Sequence, residues 1–184
     1  MLIYSNRWLP MLAGVLLLVV SGIVSAEQRQ VFGWIEKVVI LPWGIEVKAK
    51  LDSGALTSSL DARDIEIFHK EGEQWVRFRL KLEDLGSGER FTETIERQVQ
   101  RNLILRGAGG QSRRPSVLMK LCIGDRIYEE EFSIRNRKKM NYPVLLGRRT
   151  IQHLGLLDVK RAFLTAPSCS EDSALVLHQP SEED

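Results

Sequence analysis

Ala49-Lys50-Leu51-Asp52-Ser53-Gly54-Ala55-Leu56-Thr57-Ser58-Ser59-Leu60 is the stretch on which the reading of this chain turns. Glu46 to Leu51 alternates polar and apolar residues, the pattern of a half-buried strand. That strand delivers an aspartate, then a hydroxyl residue, then glycine. Turn chemistry alone explains such a triplet, and Asp-Ser/Thr-Gly arises by chance in roughly one chain in fifteen of this length. The chemical reading uses all three types. A carboxylate at a strand end can meet a second carboxylate, and two like charges that close share one proton. One then takes a proton from water while the other protonates or polarises a carbonyl. A hydroxyl can bond backbone across the pair, and glycine lets an N–H turn toward the carboxylate. Asp52, Ser53 and Gly54 are the candidate catalytic residues.

The surroundings read as β-rich. Val31 to Ile40 and Ile45 to Leu51 are strand candidates around a turn at Leu41-Pro42-Trp43-Gly44. Trp75 to Leu82 alternates almost strictly. Phe91 to Leu105 suits one or two strands, and Val117 to Ile123 pairs with Arg126 to Ile134 through Gly124-Asp125. Between them, Arg106-Gly107-Ala108-Gly109-Gly110-Gln111 is a glycine-rich tip able to act as a flap over substrate. Val144-Leu145-Leu146 is a short buried run, Arg148 to Leu154 the one expected helix, and Leu156 to Leu164 a last strand.

Length and charge narrow the function. The chain has 184 residues, 27% charged and 43% apolar, with 26 Lys plus Arg against 24 Asp plus Glu. That length suggests one domain and excludes a two-lobed enzyme of several hundred residues, so two similar lobes would require a dimer. A net charge of +2 gives no case for nucleic acid. Two cysteines exclude a disulfide-dense scaffold and a four-cysteine zinc site. Arg7 precedes the uncharged run Trp8 to Ser25, and Val24-Ser25-Ala26 has the small residues a signal peptidase accepts. The alternatives are an uncleaved inner-membrane anchor and a cytosolic protein with a buried first helix. The signal and the anchor both put the globular part outside the cytoplasm, periplasmic or exported. The expected organisation is a signal peptide or anchor at 1–26, a domain at 27–165 and a flexible acidic tail at 166–184.

Asp52-Ser53-Gly54-Ala55, the glycine-rich tip, and Val144-Leu145-Leu146-Gly147-Arg148 followed by Leu154-Gly155 resemble a retropepsin subunit in order and spacing. Gly33-Trp34-Ile35-Glu36-Lys37-Val38, Lys48 to Ala55, Arg113-Arg114-Pro115 and Tyr142 to Arg148 are similar to a bacterial family labelled ATP-dependent zinc protease. Some members of it are associated with ATP-grasp ligases that add glutamate. The resemblance implies a closed retropepsin-like β-barrel and an aspartic-type peptidase. Asp52, Ser53 and Gly54 would come from each of two subunits, Arg106 to Gly110 would be the flap, and Ala55, Gly147 and Arg148 structural support. Arg148 is expected to make an ion pair. It further implies a peptide substrate, a homodimer and a link to an ATP-grasp ligase.

The residues do not supply a cofactor site. His69, His153 and His178 have no metal-ligand spacing, and Gly107 to Gly110 is not followed by the Gly-Lys-Ser/Thr of a nucleotide loop. No cofactor or metal is expected. Arg101, Arg106, Arg113 and Arg114 flank the flap, either as solvated charge or as a reader of acidic peptide. Arg135-Asn-Arg137-Lys138-Lys139 reads as an exposed basic loop, with anionic lipid as the alternative. Cys122 and Cys169 can pair in an oxidising compartment and pin the tail, Cys169 can equally bond a second chain, and Cys122 can be simply a small buried hydrophobe. The rival functions are a non-catalytic exported binding barrel and a zinc-dependent peptidase.

Overall fold

The chain begins its ordered course with β1 (Val31–Gly33), β2 (Ile35–Leu41) and β3 (Ile45–Leu51). A computed structural model describes residues 29–107 and 110–180, except the side chains of 105–107. The expected signal or anchor, Ala108 and Gly109 of the flap tip, and 181–184 lie outside the described residues. Then come β4 (Ser58–Asp61), β5 (Arg63–Lys70), β6 (Glu73–Glu83), β7 (Arg90–Gln98), β8 (Arg101–Gly107), β9 (Gly110–Ile123), β10 (Arg126–Arg135) and β11 (Val144–Leu146). Helix α1 (Arg148–Leu154), β12 (Leu156–Asp158) and β13 (Leu175–Val176) complete the order. The chain is mainly β, and its helix falls where the sequence places it.

The largest sheet runs β13-β10-β4-β11-β3-β2-β9-β8, and β9 also pairs with β10. Pairing therefore returns from β9 to β10 and closes a ring through β4, β11, β3 and β2. Phe132, Ile134, Leu60, Leu146, Val47, Val38, Ile40 and Leu121 fill it, all within 2% of fully buried. A separate meander, β5-β6-β7, packs its own face against this core. On β6 the alternation does the work: Val76, Phe78, Leu80 and Leu82 are buried while Arg77, Arg79 and Lys81 face water.

Two strands of the expected domain, β4 and β5, had no sequence signal. All four residues of β4 are buried although three are polar, because β4 lies between β10 and β11. β5 mixes charged and apolar residues at a sheet edge and is largely exposed. Conversely, the strand expected over Leu156 to Leu164 stops at Asp158. There the Asp158 carboxylate accepts the N–H groups of Lys160 and Arg161 at 2.8 and 3.2 Å and turns the chain.

The returning segment is fastened to β2 through Glu36, whose side chain is fully buried. Its Oε1 accepts N–H from Gly33 at 2.5 Å and Leu164 at 3.0 Å. Its Oε2 accepts the Thr165 N–H at 3.1 Å and the Thr165 hydroxyl at 3.2 Å. Beyond 165, in the stretch expected as a flexible tail, the Ser168 N–H donates to Gly124 O at 2.7 Å. Cys169 is disulfide-bonded to Cys122 with Cα atoms 5.9 Å apart, and β13 pairs in parallel with β10 at Ile127 and Tyr128.

Candidate active site

β3 ends by handing its ladder to Asp52. β11 lies between β3 and β4, parallel to the first and antiparallel to the second. It extends the ladder one step, so the Asp52 N–H donates to Leu146 O at 2.8 Å. The loop from Ser53 to Thr57 then closes over the start of α1: Arg148 N–H donates to Ala55 O at 2.8 Å and Arg149 N–H to Leu56 O at 3.2 Å. Gly147 makes this fit. A Cβ there would stand 2.6 Å from the Thr57 carbonyl carbon and 2.8 Å from Leu56 O. Gly147 contributes to this closure by its lack of a side chain and Ala55 by its backbone carbonyl. Arg148 does it differently: its Nη1 donates to the Ser53 carbonyl at 3.3 Å, and among the described residues this bond stands where an ion pair was expected.

Asp52 is 27% accessible at its side chain. Gly54 N–H donates to Oδ1 at 3.0 Å and Lys50 Nζ to Oδ2 at 3.0 Å. Burial pushes the Asp52 carboxyl up, but Lys50 and the Gly54 and Ala55 N–H groups outweigh it and hold the carboxyl below its usual value. Ser53 is exposed beside it. The site in one chain is therefore an ionised, solvent-facing carboxylate with a donor on each oxygen.

A buried polar chain, absent from the sequence-based expectations, supports the loop from behind. Gly147 N–H donates to Ser58 Oγ at 3.0 Å, and Ser58 Oγ is 2.7 Å from Thr150 Oγ1. Thr150 donates to Glu130 Oε2 at 3.0 Å, which makes the Ser58 hydroxyl the donor to Thr150. Glu130 Oε1 is 2.9 Å from His153 Nδ1. The signal was available: strand alternation puts Glu130 on the same face as Tyr128 and Phe132, both buried. His153 is thereby engaged, His69 lies on exposed β5, and no three His, Cys, Asp or Glu among the described residues gather as a metal set.

The expected flap is a hairpin of β8 and β9, in register to Gly107 opposite Gly110. Its arginines separate into different roles. Arg101 forms a two-pronged pair with buried Glu131, at 2.8 and 2.6 Å, so it braces the hairpin base. Arg113 is exposed and Arg114 half-buried. The loop expected to expose Arg137 instead buries it to 6%, because its N–H is held by Asp61 Oδ1 and its Nε by Tyr142 O. Burial and the Arg135 charge push the Arg114 and Arg137 guanidiniums down from their ordinary values, while Asp61 and Asp52 raise that of Arg137. Arg114, Arg135 and Arg137 repel one another, and of the three Arg137 also interacts with Asp52.

Residues 31–168 match the family described as retropepsin-like aspartic endopeptidase RimB. A "Probable alpha-L-glutamate ligase" of Shewanella pealeana is 32% identical over 118 residues, 64% of this chain and 25% of that protein. One of the same name from Desulfotalea psychrophila is 31% identical over 113 residues, 61% of this chain and 24% of that protein. The chain thus spans about a quarter of the length of the curated relatives it matches. A crystal structure of a Legionella pneumophila protein of unknown function is similar with a TM-score of 0.61 and 28% identity, covering 74% of this chain and 98% of that one. With the match spanning β1 to Ser168, the chain belongs to the RimB-like family of retropepsin-like aspartic endopeptidases.

Proposed function

We propose that the chain is an exported aspartic-type peptidase, a homodimer of retropepsin-like barrels in which the two Asp52 carboxylates form the catalytic dyad. One observation carries this reading. A single Asp-Ser-Gly loop ends β3 with its carboxylate open to solvent, and Gly54 N–H is already aimed at it. One such carboxylate is half of a dyad, and a second copy supplies the other. In the pair, one carboxylate takes a proton from a water held between them as its oxygen attacks the peptide carbonyl carbon. The other, protonated, gives its proton to the carbonyl oxygen, and collapse of the tetrahedral species passes a proton to the leaving amine. The flap hairpin from Arg106 to Gly110 closes over the substrate and excludes water.

The substrate is an acidic, glutamate-rich peptide, or an isopeptide-like bond to glutamate. The Arg114, Arg135 and Arg137 cluster supports this, since like charges held together in a half-buried place are relieved by a carboxylate. The relatives named as glutamate ligases support it from the other side, and the reading carries with it a working link to an ATP-grasp ligase. The Cys122–Cys169 disulfide suits the oxidising compartment to which Trp8 to Ser25 would deliver the chain. The test is Asp52→Asn, assayed by mass spectrometry on a glutamate-tailed peptide. Turnover should vanish while the circular dichroism spectrum stays as in the parent, and undiminished turnover refutes the dyad.

A further inference from the structure

Lys50 precedes Asp52 by two residues and is fixed from both sides. Its backbone pairs with Ile35 of β2 and with Leu145 of β11. Its Nζ lies 3.0 Å from Asp52 Oδ2, and the two side chains are 36% and 27% accessible, so the pair opens on solvent where a substrate would lie. Gly54 N–H occupies the other carboxylate oxygen. Two further cations belong to the loop's surroundings: Arg148 from α1, held on the Ser53 carbonyl, and Arg137 from the connection after β10, whose guanidinium interacts with Asp52. Asp61, the acid beside Arg137, is engaged by Arg63 at 2.6 and 2.8 Å.

Two carboxylates brought together share a proton because repulsion between them raises one of their pKa values. An ammonium on each carboxylate offsets that repulsion. We propose that Lys50 is a positioning residue of the site: it holds the Asp52 carboxylate oriented and ionised, so that the dyad takes up its shared proton at lower pH than carboxylates without lysines would. This rests on the peptidase reading of Asp52.

The test compares Lys50→Met, Lys50→Gln and Lys50→Arg in the full chain. Both limbs of the pH profile of kcat/KM should move to higher pH in the Met and Gln variants and stay in place in the Arg variant. A lysine that only stabilises the fold would lower the unfolding midpoint and leave the limbs where they are, which overturns the proposal. Limbs displaced equally in the Arg variant overturn it too. A second readout needs no turnover: the Asp52 side-chain carboxyl, followed by 13C NMR titration, should protonate at higher pH in the Met variant than in the parent. If Asp52→Asn leaves turnover unchanged, the peptidase reading fails by itself, and the NMR midpoint still decides whether Lys50 holds the charge.

Discussion

Glu36→Gln removes one charge and one acceptor from a fully buried carboxylate, and the bonds that carboxylate makes set the cost. The amide oxygen will take the Oε1 position, because two backbone N–H groups, of Gly33 and Leu164, converge there. The amide nitrogen then faces Thr165. The Thr165 hydroxyl can rotate to accept from it, but the Thr165 backbone N–H cannot. One donor left without a partner costs about 1–3 kcal/mol. The two surviving bonds lose their charge assistance, worth about 0.5–1 kcal/mol each. Some of this is recovered because the unfolded carboxylate is better hydrated than the unfolded amide. The net loss is about 2–4 kcal/mol. Urea unfolding followed by fluorescence should show it as a lowered midpoint with an unchanged slope. Amide exchange at Leu164 and Thr165 should quicken before that of β2. A loss below about 0.5 kcal/mol would refute the claim that this carboxylate fastens the returning segment to the sheet.

Reducing the Cys122–Cys169 bond, or replacing Cys169 by serine, frees a loop of sequence separation 47. Chain entropy puts the loss at about 4 kcal/mol, and less than about 1 kcal/mol in unfolding of the oxidised against the reduced chain would show that β13 holds the tail by itself. Glu131 gives the chain an acid-sensitive contribution. Burial pushes its carboxyl up, yet the bonds from Arg101 and Ser116 bring it below its ordinary 4.5. A depressed folded value means stability fully present above the unfolded pKa and lost as pH falls through the folded one. Arg101→Ala should therefore lower the urea midpoint near neutral pH and flatten its fall between about pH 5 and about pH 3; an unchanged acid slope would refute the assignment.

Strand alternation made β3 and β6 legible, because each buries one face only and the period of two survives in the residues. The β9–β10 hairpin was legible from its Gly124-Asp125 turn, although β10 is buried on both faces from Glu130 to Ile134. Alternation could not find β4. Ser58, Ser59 and Asp61 look like loop residues until β10 and β11 close on either side of them. The Asp52 loop was legible for a related reason: its chemistry is local, a strand end followed by Ser53 and Gly54. Lys50 lay inside that same motif and passed as the polar half of an alternating pair.

The sequence by itself determined the β class, a helix over Arg148 to Leu154 and the Asp-Ser-Gly at a strand end. These follow from periodicity and from local turn chemistry. The need for Gly147 came from the fold, where a Cβ would meet Thr57 and Leu56. The tertiary structure alone decided which polar groups meet. Glu36 finds Leu164 and Thr165, Ser58 finds Thr150, and Arg101 finds Glu131. Such pairings join residues far apart in the chain, and a buried donor or acceptor leaves no local trace of its partner. Closing the ring of strands selects that partner.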